Sequence, residues 1–275
     1  MGPGERGIDL DKLIVLGTGT AIVRKYFNTS FAICHDDDVL LVDGGGGHGI
    51  LGQLDKAGLK LENIHDIFVS HEHTDHLFGI FIIIRYIGYL MEMDAYEGDL
   101  RFYLCQQVYD KIMAISHMII RPGERSEFNK RMQFSIIKNR EERKIIGHDF
   151  TFFDIKSTKA VQFGFRMKTE DKTLTFLGDE PLNDDSIEFV RNSDWMLAEA
   201  FCLYEEREIF HPYMYHHSTV KEASEQAEKY GVKNLVIWHT EDETWPNRKE
   251  RYTRESKQYY HGNVFVPEDL EVFWL

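Results

Sequence analysis

The chain has 275 residues, of which 43% are hydrophobic and 13% aromatic, so it can bury a large core. Its formal net charge of −14 argues against tight nucleic-acid binding unless basic residues cluster, because polyanions are bound through lysine and arginine. The basic stretches 121–144 and 248–257 are interleaved with glutamate and are expected to be solvated surface. No linker or low-complexity tract divides the sequence, which predicts a single domain over residues 1–275.

The N-terminal segment before the first predicted strand is short and glycine-rich, and it has no apolar signal core. The most apolar run, residues 77–91, contains Arg85 and is too short to span a bilayer. The three cysteines, at positions 34, 105 and 202, are scattered and odd in number, as expected for core thiols in a reducing compartment. These features predict a cytoplasmic protein without membrane association.

Apolar runs bounded by polar or glycine-rich turns predict strands along the whole chain. The predicted strands are 12–16, 31–35, 39–42, 66–69, 102–105, 134–137, 150–155, 163–168, 173–177, 195–198, 235–238 and 272–274. Apolar periodicity predicts helices at 47–57, 76–91, 184–191, 220–230 and 248–259. Thr219 and Glu222 have the spacing of a capping box, whose helix start could seat an anion such as phosphate. Residues 90–147 carry no readable motif.

Three histidines and Asp75 fall within six residues, directly after the predicted strand 66–69. The pattern is His-x-His-x-Asp-His, and imidazole and carboxylate are the donors that zinc and iron prefer. His71 and His73 can serve one ion, and Asp75 and His76 an adjacent second ion. The motif therefore predicts a metal site on the loop after this strand.

This motif and six further segments resemble the metallo-beta-lactamase superfamily, in particular its ribonuclease Z-like branch. The six segments are 16–20, 41–46, 176–179, 197–200, 217–219 and 237–240. The resemblance implies an α/β fold, a four-layer αβ/βα sandwich with a dinuclear metal site at the top of its two sheets.

The resemblance also implies roles for individual residues. Asp179 would bridge the two ions, and His239 would complete the second site with Asp75 and His76. His217 would contact a substrate phosphate or protonate the leaving group, with Glu199 orienting it. Asp75 would also position the attacking water. From its glycine-rich surroundings, Asp43 is expected to be structural and to hold the metal loop.

The third metal histidine of the family has no counterpart between residues 153 and 165. Ser157 or Thr158 falls about where it belongs, so the first site retains His71, His73 and Asp179. Water could fill the gap, Asp154 or His148 could swing in, or the site could stay weak or empty. One or two divalent ions are expected, with zinc first, and an oxygen-richer site would also admit manganese or iron.

These features predict a metal-dependent hydrolase that uses a metal-bound hydroxide, a phosphodiesterase acting on a small phosphodiester or nucleotide. Transfer RNA is not the expected substrate, because residues 165–178 are too few to form the protruding arm of the tRNA-processing enzymes. Two alternatives remain open: a carboxylic ester or lactone hydrolase on the same metal site, and a ligand-binding protein with a degenerate first site. A homodimer is also left open.

Overall fold

Two seven-stranded β-sheets face each other in the computed structural model, which describes residues 11–275. The glycine-rich start, where no signal core is expected, lies outside the described residues. Aromatic side chains join the sheets, with ring centroids of Phe31 and Phe176 5.1 Å apart and those of Phe68 and Phe165 5.4 Å apart. Helices flank the two sheets, and the predicted four-layer sandwich is confirmed.

The first sheet has the strand order β14-β1-β2-β3-β4-β5-β6 and the second β13-β12-β11-β10-β9-β8-β7, numbered in chain order. The first sheet comprises β1 (Lys12–Gly17), β2 (Ser30–His35), β3 (Asp38–Val42), β4 (Asp66–Val69), β5 (Leu100–Leu104), β6 (Met132–Ile136) and β14 (Val272–Trp274). The second comprises β7 (Glu142–Ile145), β8 (His148–Asp154), β9 (Phe163–Lys168), β10 (Thr173–Phe176), β11 (Trp195–Glu199), β12 (Asn234–Trp238) and β13 (Asn263–Phe265). The helices are α1 (Gly49–Lys56), α2 (Thr74–Glu92), α3 (Gln106–Ile119), α4 (Ile187–Val190), α5 (Arg207–Phe210), α6 (Val220–Lys229) and α7 (Arg248–Ser256).

Every predicted strand is present, but the sequence prediction omitted α3, α5, β7 and β13 and overestimated α4. Helix α3 buries Val108, Ile112 and Ser116, a four-residue spacing that the sequence contains. Strand β7 is an edge strand whose first three residues are exposed, so it has no apolar pattern to detect. The predicted helix 184–191 shortens to the single turn of α4.

Helix α2 extends beyond the apolar run predicted from the sequence. By length and composition alone it could cross a membrane, and 61% of its most apolar window is buried within the fold. Ile80, Ile83, Ile84 and Ile87 on this helix are fully buried and belong to the larger core cluster. The helix is therefore a core element of the sandwich, packed against the first sheet.

The candidate site lies where parallel strands of both sheets end. Strands β3 and β4 run parallel in one sheet, and β10, β11 and β12 run parallel in the other. Because the carboxyl ends of parallel strands meet at one edge of a sheet, the loops that follow them converge. Asp43, the loop 70–76, Asp179, Glu199 and His239 all lie at these strand ends.

Candidate metal centre

The first group of ligand atoms comes from His71, His73 and Asp179. His71 is 1% exposed, and its Nε2 lies 2.9 Å from His73 Nδ1 and 3.6 Å from Asp179 Oδ2. The Ser70 hydroxyl donates to Asp43 and lies 3.0 Å from His71 Nδ1, from which it can accept. This leaves the lone pair of His71 Nε2 free to face an ion.

The second group comprises Asp75, His76 and His239, all buried. His76 Nδ1 lies 2.7 Å from Asp43 Oδ2, while its Nε2 lies 3.3 Å from Asp75 Oδ2. His239 follows β12 with a left-handed φ of 54°, a conformation that non-glycine residues adopt mainly at constrained functional positions. Its Nδ1 lies 3.0 Å from the Thr29 hydroxyl, so its Nε2 faces the site.

Asp179 lies between the two groups. Its Oδ2 is 3.6 Å from His71 Nε2, 4.0 Å from His76 Nε2 and 3.7 Å from His239 Nε2. One carboxylate oxygen thus faces imidazoles from both groups, which is the placement that a bridging ligand requires.

The protonation of the imidazoles suits metal binding. Burial holds the pKa of His71 well below its usual value and lowers the pKa of His239 to about 3, so both rings are neutral near pH 7. Burial opposes the charge on His76 as well, but Asp75 and Asp43 hold its pKa well above the usual value. A cation bound beside these carboxylates would compete with protonation of His76.

One buried atom tests directly whether an ion fits. His76 Nε2 has no hydrogen-bond partner within the described residues, although it is fully buried beside Asp75 and Asp179. A buried polar atom without a partner is costly, and a divalent cation at this point would satisfy it. The donor set of imidazoles and carboxylates fits zinc, and also manganese or iron.

Asp43 holds the metal loop, as expected from the sequence. Its Oδ1 accepts the backbone N–H of Ser70 at 2.8 Å, and its Oδ2 accepts the Ser70 hydroxyl at 2.7 Å. Because Oδ2 also contacts His76 Nδ1, a single carboxylate orients both ends of the His-x-His-x-Asp-His loop.

His217 lies at the edge of the same cluster. Its ring nitrogen groups with ligand atoms of Asp179 and His239, and its ring stacks on Phe201 at a centroid distance of 5.3 Å. His217 Nδ1 lies 3.3 Å from Glu199 Oε2, while Glu199 Oε1 accepts the Ser218 N–H at 2.6 Å. Burial would lower the pKa of His217, but Glu199 raises it above the usual value.

The predicted capping box of Thr219 and Glu222 is present and caps the start of α6, directly after His217 and Ser218.

The loop 155–162 between β8 and β9, called the third loop below, supplies groups that the sequence prediction missed. Gln162 donates its amide to Asp179 Oδ1 and lies 2.9 Å from His71 Nδ1. Lys159 is 17% exposed, and its ammonium lies 3.1 Å from Glu180 Oε1 and 3.9 Å from Asp179 Oδ2. The only available signal was position, since both polar residues lie in the loop 155–162 before β9.

The residues considered as replacements for the missing histidine do not reach the first site. Ser157 donates to Glu180 at 2.7 Å, and Asp154 pairs with Lys156 at 2.6 Å. The suggestion that His148 completes the first site is wrong. His148 lies at the start of β8, and its Nε2 contacts Asp11, just before β1, at 2.8 Å. Gln162 instead occupies the space beside His71 and Asp179.

Comparison with known families identifies the chain. The family model described as Anti-Pycsar protein Apyc1 matches residues 11–251. This chain belongs to the Apyc1 family. It is 31% identical over 85 residues to an Apyc1 protein of Bacillus phage vB_BsuM-Goe3, a match that covers 30% of the chain and 32% of the phage protein.

This Apyc1-family chain is also 27% identical over 184 residues to Ribonuclease Z of Picrophilus torridus, covering 66% of the chain. That match spans only 54% of the Picrophilus protein, so the chain covers about half of this relative's length. Its fold matches the metallo-beta-lactamase fold protein YhfI of Bacillus subtilis with a TM-score of 0.77 at 17% identity, covering 97% of this chain and 100% of YhfI. The predicted metallo-beta-lactamase fold and ribonuclease Z-like branch are confirmed.

Proposed function

We propose that this protein is a metal-dependent phosphodiesterase that hydrolyses a small phosphodiester or nucleotide. The proposal is carried by one observation, the placement of Asp179 Oδ2 within 4.0 Å of imidazoles from both ligand groups. A carboxylate between two groups of this kind can hold two divalent cations side by side. His71, His73 and Asp179 would hold the first ion, and Asp75, His76, His239 and Asp179 the second.

Ions bound at these residues would supply Lewis acidity and lower the pKa of water toward neutrality. Asp75 would orient the attacking water through the carboxylate oxygen that does not face His76. His217, whose pKa Glu199 raises against the effect of burial, would give a proton to the leaving oxygen. Glu199 would act as the positioning residue for His217, since its other oxygen is anchored by the Ser218 N–H.

Two observations favour phosphorus over a carboxylic ester. The His217 imidazole, paired with Glu199, and the Lys159 ammonium both flank the ligand cluster, and donors of this kind suit an anionic phosphodiester. In addition, a relative of this chain is named Ribonuclease Z, a name that refers to cleavage of RNA.

The structure and the charge also favour a small substrate. Strands β9 and β10 form an antiparallel pair joined directly by the turn at 169–172, so no arm protrudes between the third loop and Asp179. The net charge of −14 opposes the binding of a long polyanion. Zinc as the ion, a cytoplasmic location and a homodimer remain predictions.

The test is hydrolysis of bis(p-nitrophenyl) phosphate and of nucleotide phosphodiesters by purified protein loaded with zinc or manganese. We expect turnover in the native protein and a loss of about 100-fold or more in kcat for Asp75→Ala and for His217→Gln. His216→Gln is the matched control, because His216 is adjacent in sequence but exposed, and its activity should be unchanged.

Other outcomes would reject the proposal. Turnover of p-nitrophenyl acetate or a lactone, with none of the phosphodiesters, would indicate an ester hydrolase. Binding of nucleotides without turnover, unaffected by Asp75→Ala, would indicate a ligand-binding protein instead.

A further inference from the structure

A second cluster of metal-ligating side chains lies outside the candidate catalytic site. It consists of Asp11, just before β1, His35, at the end of β2, and His148, at the start of β8. Asp11 Oδ1 lies 2.8 Å from His35 Nδ1 and 2.8 Å from His148 Nε2. The imidazole centroids are 4.3 Å apart, with ring planes at 62°.

This cluster, which we call the lower cluster, lies at the opposite end of the sandwich from the catalytic loops. Strand β1 begins beside Asp11 and ends at Gly17, while the antiparallel β2 begins at Ser30 and ends at His35. Thr29, directly before β2, contacts the catalytic His239. A six-residue strand rises about 20 Å, so the lower cluster is separate from the catalytic ligands.

The lower cluster joins three distant parts of the chain and both sheets. His35 belongs to the first sheet and His148 to the second. Asp11, at the start of the described residues, contacts both imidazoles. Asp11 and His148 are 7% and 8% exposed, whereas the His35 side chain keeps 25% of its surface exposed. The cluster is therefore largely enclosed by protein, with an opening to water on the His35 side.

The geometry matches that of the catalytic ligands. The three ligand atoms lie within 4.8 Å of one another, as do those of the catalytic groups. The 2.8 Å separations are those of hydrogen bonds, whereas the ligand atoms around a tetrahedral zinc ion lie about 3.3 Å apart, so a bound ion would replace both hydrogen bonds after a small outward shift of the rings. Two imidazole nitrogens and one carboxylate oxygen provide three of the four donors of a tetrahedral zinc site, and water can supply the fourth.

From this geometry we infer that Asp11, His35 and His148 bind a divalent transition-metal ion, with zinc the best match to the donors. The ion ties the two sheets together at the end remote from the catalytic loops. Binding of an ion that only the folded chain can hold stabilises the fold. Its role is structural, and it does not depend on the proposed hydrolase activity.

The test counts ions per chain in the full-length protein. Native protein and variants are stripped with a chelator, dialysed against buffered zinc, and measured by elemental mass spectrometry. His148→Gln and, as an independent replacement, Asp11→Asn should each bind one ion fewer per chain than the native protein. Zinc should also raise the melting temperature of these variants less than that of the native protein.

His261→Gln is the matched control, because His261 pairs with a single carboxylate, Glu228, at 3.0 Å. This variant should bind as many ions as the native protein. Equal ion counts in native protein, His148→Gln and Asp11→Asn would overturn the inference and leave the lower cluster as a metal-free hydrogen-bonded clasp. Ion counts and melting temperatures are independent of catalytic turnover. A failure of this inference can therefore be distinguished from a failure of the proposed function.

Discussion

Gln162 and Lys159 give the third loop of this protein its own chemistry. Both approach the ligand cluster from the loop where the resemblance leads one to expect a histidine. Gln162 donates to Asp179 and packs beside His71, so it orients the carboxylate that lies between the two ligand groups. Lys159 brings a positive charge to the edge of the cluster, where an anionic substrate would lie.

Replacing Lys159 tests its contribution to substrate binding. We expect Lys159→Met to lower kcat/KM for an anionic phosphodiester by about 10- to 100-fold, because a charge-assisted hydrogen bond contributes about 1.5–3 kcal/mol. Lys156→Met is the control, since Lys156 lies in the same loop but is exposed and paired with Asp154. If the two variants show the same kinetics, Lys159 has no role in substrate binding.

Replacing Gln162 tests its support of the first ion. Gln162→Leu removes the hydrogen bond that the amide donates to Asp179 while keeping a similar volume. We expect the affinity of the first site for zinc to fall by about 10- to 100-fold, as for other residues that orient metal ligands. Competition with a chromophoric chelator measures this affinity. An unchanged affinity would show that the ligands need no such support.

Helix α2 reaches the catalytic loops through a backbone contact without side chains. The Gly44 N–H donates to the His76 carbonyl at 2.8 Å, and the Gly79 N–H donates to the Gly45 carbonyl at 2.9 Å. A Cβ atom added at Gly79 would lie 1.8 Å from the Gly44 carbonyl oxygen. The start of α2, with the candidate metal ligands Asp75 and His76, is thus positioned directly against the turn after β3.

This contact predicts opposite effects for two helix glycines. Gly79→Ala should lower the free energy of unfolding by about 1–3 kcal/mol and reduce metal content, because α2 must move away from the turn. Gly52→Ala in α1 should be neutral or stabilising by up to about 1 kcal/mol, since an added Cβ there meets nothing within 4 Å. Urea unfolding of both variants measures the difference. Equal effects would show that the turn yields easily.

Much of this architecture could be predicted from the sequence. Buried strands such as β4 and β12 are short apolar runs, and the histidines and aspartate that follow them indicate the metal site. The edge strand β7 could not be found because its exposed, charged residues have no apolar period. The lower cluster could not be found either, because Asp11, His35 and His148 have no local spacing and meet only through packing of the two sheets.

The whole molecule is a sandwich with a different chemistry at each end. The candidate metal ligands follow the carboxyl ends of parallel strands in both sheets, and the lower cluster joins the sheets at the opposite end. Both sets draw ligands from distant parts of the chain, so each can form only in the folded protein. Removal of metal should therefore lower stability as well as activity.

The central claim is that ions held around Asp179 drive hydrolysis of a phosphodiester. The most direct measurement is a zinc titration of chelator-stripped protein and of Asp179→Asn, following bis(p-nitrophenyl) phosphate hydrolysis and ions per chain on the same samples. We predict that stripped protein is inactive, that activity rises with the ions bound, and that Asp179→Asn binds fewer ions and stays inactive. Hydrolysis by stripped protein, or by Asp179→Asn at the native rate, would contradict the claim.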